Sequence, residues 1–150
     1  MKTWAMLAVW ILVSLSAGFV GSQFSPGEWY QNLEKPSFNP PGWVFGPVWT
    51  ILYIAMGIAA WLVWKERGFS PVLYIFLGQL VLNALWSYLF FGANRPDLAF
   101  FEIVLLWVLI LLTMLLFWKV RTAAGVLLLP YLLWVTFASV LNFALWRLNI

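Results

Sequence analysis

The 150-residue sequence predicts an all-α integral membrane protein, a single bundle of five transmembrane helices. Two observations carry this expectation. Hydrophobic residues make up 65% of the chain and charged residues only 9%, whereas a soluble domain averages about 25% charged residues. So few charges cannot clothe a water-facing surface. The charges are also placed so that they leave uncharged runs long enough to cross a bilayer, which takes roughly 20 apolar residues.

Taken in order, the runs give the elements. Between Lys2 and Glu28 lie 25 uncharged residues, and a first helix is expected near 4–23. Lys2, the apolar stretch and the small residues at Ser16-Ala17 also have the outline of a cleaved signal peptide. The pairs Ser14–Gly18, Ala17–Gly21 and Gly18–Ser22 favour a retained helix, because small residues four apart allow close helix packing, within the chain or at a dimer face. The run from Lys35 to Lys65 holds three prolines between Pro36 and Pro41, which cannot all be helical. Its spanning part is expected at 43–64. A third helix is expected at 71–92, inside the 27 uncharged residues between Arg67 and Arg95.

The 16 residues between Glu102 and Lys119 are short for a span. Starting the fourth helix earlier, at about 97–118, restores the length and leaves Glu102 in its first turn, where the helix dipole favours a carboxylate. The fifth is expected at 124–146. Pro47, Pro71 and Pro96 fall at helix starts, where a missing N–H costs little. Pro130 falls a full turn inside the fifth helix, where it should release the Val126 carbonyl and kink the helix. Connections after the second, third and fourth helices are short, so those neighbours should run antiparallel. Only the loop at 24–42 is long enough for a role of its own. Its prolines restrict φ and preshape it as a lid.

Composition also excludes chemistry. The chain has no Cys and no His, which removes thiolate nucleophiles, the commonest acid–base catalyst and the commonest haem ligand. A net charge of +3 without a basic run argues against nucleic acid as a partner; the partner read from composition is the lipid bilayer. Lys2, Lys65, Arg67, Lys119 and Arg121 share one side of the membrane, against Lys35, Arg95 and Arg147 on the other. In a bacterial cell membrane this bias places the N-terminus in the cytoplasm and the long loop outside; an organelle or an outer envelope would reverse the names of the sides without changing the fold.

Polar and aromatic residues converge at one depth. Trp4, Trp43, Trp64, Trp118 and Trp146 lie at helix ends, as an aromatic belt requires. Trp49, Trp86, Trp107 and Trp134 lie inside their helices, and a buried indole wants a partner for its N–H. Gln79, Asn83 and Trp86 share one face of the third helix, Trp49 and Tyr53 one face of the second, and Trp134, Ala138 and Leu141 one face of the fifth, with Asn142 one turn beyond Ala138. At 1.5 Å per residue, Trp49 and Trp86 lie roughly 9 Å from the loop side, Asn83 roughly 13 Å and Ala138 roughly 12 Å. These depths imply a cavity in the loop-side half of the bundle, with the small Ala138 leaving room for a flat molecule. Helix–helix hydrogen bonding by the same amides is the alternative use of those residues.

Trp29-Tyr30, KPSFNPPGWVFGPVWTILYIAMG from Lys35 to Gly57, GQLVLNALW from Gly78 to Trp86, FFGANR from Phe90 to Arg95, and PYLLWVTFASVLNFALWRLN from Pro130 to Asn149 resemble the tryptophan-rich sensory protein / translocator protein family (TspO/MBR, the peripheral-type benzodiazepine receptor family). The resemblance covers nearly the whole chain in order. It implies five transmembrane helices, a homodimer, and a ligand cavity closed by the first loop. It implies tetrapyrrole ligands such as protoporphyrin or haem, and sterol or isoquinoline-carboxamide ligands in some members, with a role in porphyrin-linked regulation or stress response. Carried over residue by residue, the ligand contacts are Tyr30, Pro40, Pro41, Trp43, Trp49, Asn83, Trp86, Trp134, Ala138 and Leu141. The convergence of faces selects six of these independently: Trp49, Asn83, Trp86, Trp134, Ala138 and Leu141.

There are departures. The sterol-recognition stretch of animal members has Leu/Val, Tyr and Arg, where this chain has Leu141, Phe143 and Arg147, so the Tyr hydroxyl is missing. Leu98 and Glu102 stand where animal members have Trp and Asp. Gly78 is followed four residues later by Leu82, which weakens a dimer face there.

The function expected is binding of a tetrapyrrole, with indoles stacked on the ring and amides or a rim cation, Lys35 or Arg147, meeting its carboxylates. No cofactor is required; the porphyrin is the ligand. Light- or oxygen-dependent breakdown of bound porphyrin is the enzymatic alternative, although the sequence offers no catalytic dyad, metal site or nucleotide loop. Ion-coupled transport needs an ionisable residue near mid-membrane, and Glu102, placed near a helix end, fits that poorly.

Overall fold

The computed structural model describes residues 2–24 and 26–150. The side chain of Lys2, which enters the charge bias, lies outside the described residues. Five helical segments are long and apolar enough to span a membrane: α1 (Lys2–Ser22), α3 (Phe45–Arg67), α4 (Pro71–Ser87) together with the π turn that continues it to Gly92, α5 (Pro96–Val120) and α6 (Thr122–Leu148), with a short α2 (Glu28–Gln31) inside the long loop. No strand occurs among the described residues. The protein is an integral, multi-pass membrane protein.

Pro71 and Pro96 occupy first-turn positions of α4 and α5, as their missing N–H dictates. Through Pro130, α6 is assigned as one unbroken helix. Two elements differ from the sequence reading. The end of the third span is a π-helical turn, Tyr88–Gly92, closed by Asn94 with φ of 55°, a conformation Asn tolerates better than most residues. And α5 begins at Pro96, so Asp97 occupies the first turn, paired bidentately with Arg95 at 2.8 and 3.0 Å. Glu102 is thereby carried nearly two turns into the helix, and its first-turn placement is corrected.

Around the bundle the helices run α1, α3, α6, α5, α4 and back to α1, the most extensive interfaces being α5 with α6 and α1 with α3. The helices α3 and α4, though joined only by Gly68 to Ser70, barely meet. Small residues let α1 wedge between them. Ser14 is fully buried and Ala17 nearly so. A Cβ on Gly18 would lie 2.6 Å from the Tyr53 ring, one on Gly21 would lie 2.9 Å from Ser87 Oγ, and one on Gly57 would lie 2.5 Å from Ile11 Cα. Of the small-residue pairs in α1, Ser14, Ala17, Gly18 and Gly21 are thus used for packing inside the chain, while Ser22 is exposed.

The dense core occupies the half away from the long loop. Met56, Ala59, Ala60 and Val63 are fully buried there with Phe76, Phe117, Ile110 and Ala124; Phe76 and Phe117 stack with centroids 5.7 Å apart. In the loop-side half the helices leave space.

Candidate functional site: a cavity beneath the long loop

That space is a cavity of about 800 Å³, within the usual range of roughly 300–1,000 Å³ for small-molecule sites. The structure brings nine of the ten sequence-selected residues to its wall: Tyr30, Pro40, Pro41, Trp49, Asn83, Trp86, Trp134, Ala138 and Leu141. Trp43 does not join them. It sits in a single 3-10 turn ahead of α3 and is 76% exposed, so the wall contact implied by the resemblance is corrected, and Trp43 faces outward at a helix end as its place in the sequence implies.

The aromatic wall is assembled from three helices and the loop. Trp49 stacks on Tyr53 at 5.6 Å and meets Trp134 edge-on at 6.4 Å, while Phe45 approaches Trp134 at 6.0 Å. On the far wall Trp86 stacks on Phe90 at 5.3 Å. The π turn puts Phe90 there, against Ala99, Leu141 and Leu145; its extra residue per turn redirects the side chains that follow Trp86. Phe45, Phe90 and Phe91 were missed from sequence, since one Phe among 13 carries no mark of its neighbours.

The amides serve two purposes. Tyr53 donates its hydroxyl to Asn83 Oδ1; Asn83 Nδ2 donates to the Tyr131 hydroxyl at 2.9 Å; that hydroxyl donates to Gln79 Oε1 at 2.6 Å. The chain ties α3, α4 and α6 together, with Tyr53 and Asn83 also forming the cavity floor. Gln79 and Tyr131 lie beneath it, each 1% exposed. Higher up, Trp86 donates its indole N–H to Asn142 Oδ1, and Asn142 donates to the Pro96 carbonyl, both at 2.9 Å. The Trp134 N–H, by contrast, is buried without a partner. Tyr131 was absent from the sequence selection, although a hydroxyl inside a membrane span has to find a partner.

Of the two rim cations expected, only Lys35 lies in the wall. Its ammonium donates to the carbonyls of Tyr30, Leu33 and Gln31 at 2.9, 3.2 and 3.3 Å and lies 4.8 Å from the Tyr30 ring centroid, so it also ends α2. Arg147 stands off the cavity over the Trp146 ring. The loop is fastened to the end of α6 by Asn149, which accepts from the Glu34 N–H at 2.8 Å and donates to the Glu34 carbonyl at 2.9 Å. Glu102 lies among the buried residues with neither carboxyl oxygen hydrogen-bonded.

A family model described as the TspO/MBR family matches residues 5–147. The chain belongs to the TspO/MBR family. It is 49% identical over 150 residues to the tryptophan-rich protein TspO of Chlorobaculum tepidum, covering 95% of each chain. It is 40% identical to a tryptophan-rich sensory protein of Cereibacter sphaeroides, covering 97% of this chain and 92% of the relative. Against the human translocator protein the identity is 44%, over 87% of this chain and 82% of the relative. The TspO/MBR relationship thus spans all five membrane helices and the loop over the cavity.

Proposed function

We propose that this TspO/MBR protein binds a tetrapyrrole such as protoporphyrin in the loop-side cavity and acts as a sensor or carrier in porphyrin-linked regulation. One observation carries the reading: an 800 Å³ cavity walled by Trp49, Trp86 and Trp134, with a single cation, Lys35, among the described wall residues. A porphyrin is a flat π surface bearing two carboxylates. Indoles and phenyl rings offer that surface stacked or edge-on contacts, and Lys35 offers its positive charge, with a charge-assisted hydrogen bond once one of its three carbonyl partners is released. The charge bias of the short loops supports a cytoplasmic N-terminus, with the cavity on the opposite side of a bacterial cell membrane.

The test is a protoporphyrin titration of the purified protein, read by Trp fluorescence, beside Ala138→Phe. The added phenyl fills space between the aromatic walls and is expected to abolish a saturable quench while circular dichroism shows the helices intact. Equal, unsaturable quenching of both proteins would mean that porphyrin only partitions into an aromatic bundle, and the pocket reading would fall.

A further inference from the structure

The cavity wall is not closed on all sides. Along α1 and α3 it includes residues that also face outward: Phe19, 70% exposed, and Ser22 on α1, opposite Gly42 in the 3-10 turn and Gly46 and Thr50 at the start of α3. Gly46 and Thr50, four residues apart, lie on one edge of that helix. The seam between the two helices changes character along its length. Deeper in the membrane it is sealed by backbone-close contact, Gly57 against Ile11 and Gly18 against the Tyr53 ring. Towards the loop the edge of α3 is unfilled: a Cβ on Gly46 would meet no described atom within 4 Å.

The polar groups framing this gap are already spent. Thr50 donates its hydroxyl to the Gly46 carbonyl at 2.8 Å and Ser22 donates to the Phe19 carbonyl at 2.7 Å, so the edges ask for no water. Depth places the gap as well. The outward-facing Trp43 marks the level where aromatic side chains meet the headgroups, and Thr50, seven residues further on, lies roughly 10 Å deeper at 1.5 Å per residue. Over the top of the cavity the loop is held to the end of α6 by the Asn149–Glu34 pair, while Lys35 ties the loop to itself.

We infer that ligand enters the cavity sideways from the bilayer, through the gap between α1 and α3, and that Phe19, Gly46 and Thr50 set the rate and size limit of entry. The inference rests on the proposed pocket. It also specifies the class of ligand admitted: a flat amphiphile that lies at the boundary of headgroups and hydrocarbon, acid groups towards water, and slides in edge-first.

The test uses the full-length protein in lipid nanodiscs, mixed rapidly with protoporphyrin and followed by porphyrin fluorescence. Gly46→Phe and, separately, Thr50→Phe narrow the gap; Gly46→Phe adds a side chain into open space in the first turn of a helix, and replaces the poorest ordinary helix former. Both are expected to slow association and dissociation alike by about tenfold or more, with Kd changed little, because a passage affects both directions equally. Leu133→Phe, on the lipid-facing surface of α6, serves as the control and keeps wild-type rates. Asn149→Ala, which frees the loop, is expected to leave both rates unaltered. Wild-type rates in Gly46→Phe and Thr50→Phe, or faster exchange in Asn149→Ala, would overturn lateral entry in favour of entry beneath the loop. Weaker binding with an unchanged association rate would make the two residues mere wall contacts and overturn it too. Absence of saturable binding in the wild type would instead sink the pocket reading itself.

Discussion

Asn83 holds two roles at once, because a carboxamide has more hydrogen-bonding capacity than one partner uses. Its oxygen accepts from Tyr53 and its nitrogen donates to Tyr131, yet it remains part of the cavity floor. In hydrocarbon no water replaces a lost partner, so the link that serves two amides should matter most. Tyr131→Phe leaves both Asn83 Nδ2 and Gln79 Oε1 short of a partner, and is expected to lower stability by about 1–2 kcal/mol. Thermal unfolding in detergent checks this, and an unchanged midpoint would show that the amides re-pair elsewhere. Glu102 poses the opposite case. Its carboxyl is buried with no partner, a costly arrangement, so Glu102→Leu should stabilise the protein by about 1 kcal/mol or more. A lower midpoint in the same assay would mean that the carboxyl is satisfied in the membrane.

Among the elements, α1 is the piece whose fit depends on absent atoms. Gly57 lets the Ile11 backbone come so near that a single methyl group meets it at 2.5 Å. Backbone cannot swing aside as a flexible side chain can, so Gly57→Ala should push α1 away from α3 at a cost of about 1–3 kcal/mol. Limited proteolysis of the loop at 24–42, together with the unfolding midpoint, would report the separation; wild-type behaviour in both would contradict the packing. The π turn is a second local device. It spends one regular helical turn to bring Phe90 into a stack with Trp86, and nothing in the residues Tyr88–Gly92 distinguishes that turn from an ordinary helix end. The long loop shows how a side chain can substitute for backbone pairing: the Asn149 amide both donates to and accepts from Glu34.

On the scale of the whole molecule, a densely packed half supports an open half. The porphyrin reading makes a prediction here that depends on the full wall. With no His or Cys in the chain, and with the Tyr53 hydroxyl engaged by Asn83, recognition should rest on the ring and its acids rather than on a metal. Metal-free protoporphyrin and haemin are therefore expected to bind within about tenfold of each other, or 1.4 kcal/mol. Parallel titrations measure this, and a preference of about a hundredfold for haemin would point to an iron ligand such as Tyr30.

The five spans, the first-turn prolines and the pooling of Trp49, Asn83, Trp86, Trp134, Ala138 and Leu141 at one depth were legible from residues alone. The reason is that span length is set by bilayer thickness and depth by a fixed rise per residue, both local quantities. The order of helices around the ring, the wedge of α1 between α3 and α4, the partner of Tyr131 and the gap beside Gly46 were decided only by tertiary packing. In water an apolar stripe announces the face that a helix buries. In a membrane the lipid is as apolar as a neighbouring helix, so hydrophobicity marks what enters the bilayer but is silent about which face meets which partner.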